Sequence, residues 1–112
     1  MAQADTLKIH GKKNITVYQA MIEDEDTQEM YKSSGHRHFC KRCGSCLWIS
    51  DPNWPEWIYP FASAIDTPLP KPPQIISNMI NYAVAWAHIP SGKNDLQFEE
   101  YSGISIEDWH KK

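Results

Sequence analysis

Cysteine is scarce and unevenly placed. The chain has three in 112 residues, all between positions 40 and 46. An odd count is a poor basis for a disulfide framework. No apolar run approaches the roughly 20 residues that cross a bilayer as a helix. The first residues, Met1-Ala2-Gln3-Ala4-Asp5, lack the basic and apolar regions of a signal peptide. These absences predict a cytoplasmic protein with no membrane partner. Positive charge is not in excess either. Eleven Lys and Arg stand against fourteen Asp and Glu, for a net charge of -3. That balance argues against a nucleic-acid partner, which a basic face would serve. There is no Ser-His-Asp arrangement, no glycine-rich phosphate loop and no H-E-x-x-H helix.

What is abundant is aromatic and imino: five Trp, five Tyr, three Phe and eight Pro. Proline suppresses long helices, and aromatics suit pleated surfaces. Composition therefore predicts a mainly β protein with irregular connections. A domain of this length is expected to bury roughly two-thirds of its unfolded surface.

The local pattern agrees. Leu7 and Ile9 alternate with Lys8 and His10 as a weak strand signal, residues 11–14 read as a turn, and Ile15 to Tyr18 as a second strand. The acidic stretch 23–29 reads as a solvated loop. Met30 to Lys32 reads as a short strand, and residues 33–35 as a turn. His36 to Phe39 and Cys46 to Ile49 read as antiparallel strands on either side of a knuckle. Trp57 to Ala62 reads as a strand that Pro60 pushes toward an edge or bulge. Residues 67–73, with four prolines, must be extended, and residues 74–76 open another strand. Asn81 to Ala87 fits a short helix or a strand, with Tyr82, Trp86 and Ile89 at rough helical spacing. Ser105 reads as an N-cap opening one or two helical turns through Trp109. Trp48, Trp54, Trp57, Tyr59 and Phe61 read as core and rim rather than a ligand cage.

The knuckle is the segment His36-Arg37-His38-Phe39-Cys40-Lys41-Arg42-Cys43-Gly44-Ser45. A C-x-x-C pair before Gly-Ser lets backbone N–H groups point at the sulfurs while both thiolates grip one metal. Three readings are open: half of a zinc site, a redox dithiol, or two core thiols. The redox reading wants the first cysteine at a helix N-terminus, and here the pair lies between strands. Zinc in a structural site wants four ligands. Cys40 and Cys43 are the prime candidates, with Cys46, His38 and His36 as lesser ones. Period-two alternation puts His36, His38 and Cys40 on one face of their strand. The bland reading makes Cys46 a small buried hydrophobe and the histidines half-exposed strand residues. His10, His88 and His110 are isolated, and Asp66 is a carboxylate without an evident partner.

Tyr31-Lys32-Ser33-Ser34-Gly35, followed by Arg37-His38-Phe39-Cys40-Lys41-Arg42-Cys43-Gly44-Ser45-Cys46-Leu47, resembles the hallmark of the glutathione-dependent formaldehyde-activating enzyme family, which includes centromere protein V. Ala62 to Asp66 resembles a segment where the family has Gly-x-Leu-Asp, and Trp86 resembles a tryptophan after its next strand. Asn78 stands where a histidine is frequent. The resemblance implies a β-tent of small antiparallel sheets clamped by structural zinc, with a short C-terminal helix. It implies carbon–sulfur lyase chemistry on the glutathione–formaldehyde adduct.

The resemblance also implies two zinc sites, one pairing an N-terminal C-x-C with the later C-x-x-C and one built on a separate C-x-C-x-x-C cluster. Cys40 and Cys43 match half of the first. This sequence has no cysteine before Cys40, so the second, catalytic cluster has no counterpart. The expectation is one family-like domain over residues 1–112, shortened on its N-terminal side. Zinc would be held incompletely, lyase activity would be uncertain, and exposed edge strands would favour a homodimer. The alternative expectation is a non-catalytic zinc-binding or protein-interaction module.

Overall fold

A computed structural model describes residues 1–111, and the chain divides into two units, Met1–Leu69 and Pro70–Lys112. The first unit is built on a five-stranded antiparallel sheet of order β1-β7-β6-β5-β2. Its strands are β1 (Ala2–Gln3), β2 (Ile15–Tyr18), β5 (His36–Cys40), β6 (Cys46–Ser50) and β7 (Trp57–Pro60). A two-stranded hairpin, β3 (Met21–Glu23) with β4 (Met30–Lys32), extends the β2 and β5 strands beyond a bend. The bend is held by the Ser33 N–H donating to Ala20 O at 2.7 Å and the Gln19 side-chain amide donating to Ser33 O at 3.0 Å.

The hairpin tip carries the acidic stretch, as a loop. One carboxylate oxygen of Asp24 accepts from the N–H groups of Asp26 and Thr27 at 3.0 and 2.9 Å and from the Thr27 hydroxyl at 3.2 Å. Those donors hold the Asp24 carboxyl below its usual range. Gln28 closes the loop in the left-handed region, at φ 59°.

The second unit is less regular. Residues Ile76–Ser77 (β8) and Leu96–Gln97 (β9) pair in parallel, which the antiparallel expectation did not include. The Asp95 carboxylate clamps this pair, accepting from Ile75 N–H at 2.9 Å and Gly92 N–H at 2.8 Å. The helix α1 (Ile106–His110) begins where its N-cap predicts, with Ser105 Oγ accepting from Asp108 N–H at 3.0 Å.

Three local expectations fail for identifiable reasons. Leu7 to Ile9 alternates but is not a strand; the first strand is Ala2–Gln3, created by pairing with Ile58 and Trp57. Asn81 to Ala87 is helical only at Asn81 and Tyr82, and residues 83–87 are neither helix nor strand. Met79 takes a left-handed conformation, φ 60°, a single 3-10 turn follows at Ile80–Tyr82, and Ala83 is extended. Pro60 does not push β7 to the edge, because β7 lies between β1 and β6. The short β1 reaches only Trp57 and Ile58, so Pro60 needs no donor on that side.

Burial is thinner than chain length predicts. Among the described residues only Trp48 and Ile58 are buried, at 8% and 7% exposure. Trp57, Tyr59 and Phe61 are half-buried around them, as core and rim, while Trp54 is exposed. No helix among the described residues is long and apolar enough to cross a membrane.

Candidate functional site

The knuckle is a tight connection between β5 and β6. Cys40 N–H donates to Ser45 O at 2.9 Å and Gly44 N–H donates to Cys40 O at 2.8 Å, closing the turn. Lys41 N–H ties it to β2 by donating to Asn14 O at 2.7 Å. Gly44 is required by its backbone rather than by space. Its φ is 77°, and nothing lies within 4 Å of where a Cβ would stand.

This turn brings the two thiols of the C-x-x-C pair together. The Cys43 thiol donates to Ser45 Oγ at 3.2 Å, and the Cys40 side chain is a further hydrogen-bonding neighbour of Cys43. The Ser45 hydroxyl and then its backbone N–H favour the anion, so the Cys43 pKa is lowered. Cys43 is exposed and Cys40 half-buried.

The lesser candidates are placed elsewhere. A register shift in β6 makes Phe39 pair with Cys46 and His38 with Trp48, leaving Leu47 as the extra residue of a bulge. Directly paired residues share a face, so Cys46 lies on the Phe39 face, opposite to Cys40. His38 stacks on Trp48, and its Nδ1–H donates to His36 O at 3.1 Å. Burial, the largest cause, lowers its pKa. His36 pairs with Ser50 and is half-buried. Among the described residues no three His, Cys, Asp or Glu side chains gather closely enough to hold a metal ion. A structural zinc takes four ligands, and the described residues gather fewer than three such groups at any one place.

An open cleft of about 430 Å³ lies beside the knuckle, and Cys40, Cys43 and Ser45 form part of its wall. His10, Asn14, Arg42, Ser63 and Asp66 complete the polar lining. Sequence spacing left His10 and Asp66 isolated. Only the resemblance of Ala62 to Asp66 to a family segment marked the second of them.

No family profile matches the chain, and no solved structure matches it. A curated protein of Halomonas elongata, provisionally named a glutathione-dependent formaldehyde-activating enzyme, is 44% identical over 109 residues. The match covers 97% of this chain and 66% of that relative, so the chain spans a little under two-thirds of the relative's length. Identity of that extent along nearly every residue, with the hallmark segment folded into a thiol-bearing turn, makes this chain a member of the glutathione-dependent formaldehyde-activating enzyme family.

Proposed function

We propose that this chain is a zinc-binding domain of that family, with Cys40 and Cys43 as two thiolate ligands. The carrying observation is the pair itself: two thiols held as hydrogen-bonding neighbours, one biased toward its anion by Ser45. Metal binding must displace thiol protons, so a lowered pKa strengthens it at neutral pH. A reducing cytoplasm would keep both thiols available. The remaining coordination positions are left to solvent or to groups outside the described residues, because Cys46, His38 and His36 do not gather with the thiol pair.

The relative's name supports a glutathione-linked small molecule as the ligand class, and carbon–sulfur lyase chemistry on the glutathione–formaldehyde adduct is what the family resemblance implies for a complete member. With fewer than three such donors gathered at any one place among the described residues, the proposal for this chain alone is metal binding without turnover. A second reading, a protein-interaction module, draws support from Tyr82, Trp86 and Tyr101, which are 70%, 86% and 79% exposed.

Cobalt titration of chelator-treated protein tests the metal assignment. Sulfur-to-cobalt charge-transfer absorption is expected in the natural chain and in Cys46→Ser, and it should vanish in Cys40→Ser and in Cys43→Ser. Binding without charge transfer would overturn the thiolate assignment. Consumption of the glutathione–formaldehyde adduct by the zinc-loaded chain would overturn the absence of turnover.

A further inference from the structure

The five-stranded sheet ends on β2, and β2 lacks the proline, charge and bulge that commonly keep a sheet edge from pairing. Residues Ile15–Tyr18 contain no proline and no charge, and their register with β5 runs without a bulge from Ile15↔Cys40 to Tyr18↔Arg37. The opposite edge, β1, is only two residues long, itself one of the usual protections. The Lys41 N–H to Asn14 O bond fixes the phase of the β2–β5 ladder. Inward-facing peptide groups alternate in an antiparallel pair. Thr16 and Tyr18 therefore direct their N–H and C=O groups to β5, and Ile15 and Val17 direct theirs to the open side. Val17 and Tyr18 are 49% and 54% exposed. Past the bend, every residue of β3 and β4 is exposed as well.

We infer that a second copy of this chain adds its own β2 to this edge, the two strands running antiparallel about a two-fold axis at Thr16. The outward groups are self-complementary in that register. Ile15 exchanges both main-chain hydrogen bonds with Val17 of the partner subunit, and symmetry repeats the exchange, so four bonds form from one four-residue strand. No like charges oppose each other: Lys12 and Lys13 fall opposite Ala20 and Gln19 of the partner subunit. Every copy brings a matching open strand, which favours this occupant over an unrelated chain. The pairing is independent of the metal assignment. Cys40 lies one strand further in, so the two knuckles stand three strand spacings apart, about 14 Å, too far to share one zinc at Zn–S distances of about 2.3 Å.

Mass measurement by sedimentation, from low to high micromolar chain, tests the inference. A monomer–dimer equilibrium is expected, unchanged by chelator. Val17→Pro removes an outward N–H and leaves the β2–β5 bonds intact. Its apparent mass should fall from two chains to one, with the far-ultraviolet circular dichroism of the natural chain retained. Val17→Lys, which places a charge on the edge and leaves the backbone free, should do the same where proline disturbs folding. The Thr16 Cα atoms would lie about 4.5 Å apart across the axis, within disulfide range. Oxidised Thr16→Cys protein should therefore yield a peptide joined through the two introduced thiols. A monomer at every concentration would overturn the inference, and is the result expected where a segment of a longer polypeptide takes the edge. A dimer that survives in both folded Val17 variants, or that chelator dissolves, would overturn it equally.

Discussion

The imidazole of His38 lies flat against the indole of Trp48, with ring centroids 4.4 Å apart and planes within 12° of parallel. Burial against this ring lowers the His38 pKa, and the nearby His36 adds to the effect, while hydrogen bonds to backbone groups of His36 and Trp48 oppose it. A histidine whose folded pKa is depressed gives up its proton more readily in the native state than in the unfolded one. Its contribution to stability is complete above the unfolded value, about 6.5. It declines as pH falls below that value and levels off once the native ring is also protonated. Urea midpoints of chelator-treated protein should therefore drop as pH is lowered through this window. The part of that slope due to His38 should disappear in His38→Gln, and an unchanged slope would show that the ring is not the titrating group.

Ser45 supplies both groups that chiefly favour the Cys43 thiolate, and only one of them is a side chain. Ser45→Ala removes the hydroxyl and keeps the backbone N–H. Alkylation of Cys43 by iodoacetamide in metal-free protein should slow at a fixed pH near neutrality, and its pH profile should move upward. Peptide mapping separates this rate from those of Cys40 and Cys46. An unaltered rate would mean that the backbone N–H suffices.

Ile58 is 7% exposed and pairs with Ala2 on one side and Ser50 on the other, between β1 and β6. Truncating a buried isoleucine to alanine costs about 2–5 kcal/mol. With one other residue as deeply enclosed among those described, little remains to absorb the loss. Ile58→Ala should unfold much of the chain at temperatures where Ile58→Val, costing about 1 kcal/mol, remains folded. Thermal melts by circular dichroism compare the two directly.

Gln28 holds a left-handed conformation at the hairpin tip, φ 59°, where a side chain costs about 1–2 kcal/mol and glycine does not. Gln28→Gly should raise the denaturation midpoint, with a gain of up to about 1 kcal/mol after the extra chain entropy of glycine. Asp24→Ala should lower it by removing the oxygen on which three donors converge, and Asp24→Asn should retain most of the loop's order.

The parts legible in the sequence are those governed by neighbours along the chain. β5, the knuckle and β6 follow from a C-x-x-C-Gly-Ser turn between alternating residues, and α1 follows from Ser105 as N-cap. β2 follows from β-branched residues after a turn. The parts that were not legible depend on distant partners. Ala2 and Gln3 have no strand pattern and become β1 because β7 offers an edge. Leu7 and Ile9 have the pattern but no strand beside them. The parallel pairing of β8 with β9 joins residues 20 positions apart and is held by Asp95, whose role no local motif signals. At the candidate site, spacing alone singles out Cys40 and Cys43, and both line the cleft. His10 and Asp66 reach the cleft wall from either side of the strands that carry the thiols, so no spacing rule could join them.

The chain's five indoles sit in very unequal surroundings. Trp48 is enclosed at 8%, Trp54 is half open at 51%, and Trp86 is almost wholly hydrated at 86%. Native fluorescence is therefore a composite whose red edge comes mainly from Trp86 and whose blue edge comes mainly from Trp48. Unfolding followed at the blue edge reports the opening of the sheet, whereas emission from Trp86 has little spectral shift left to give.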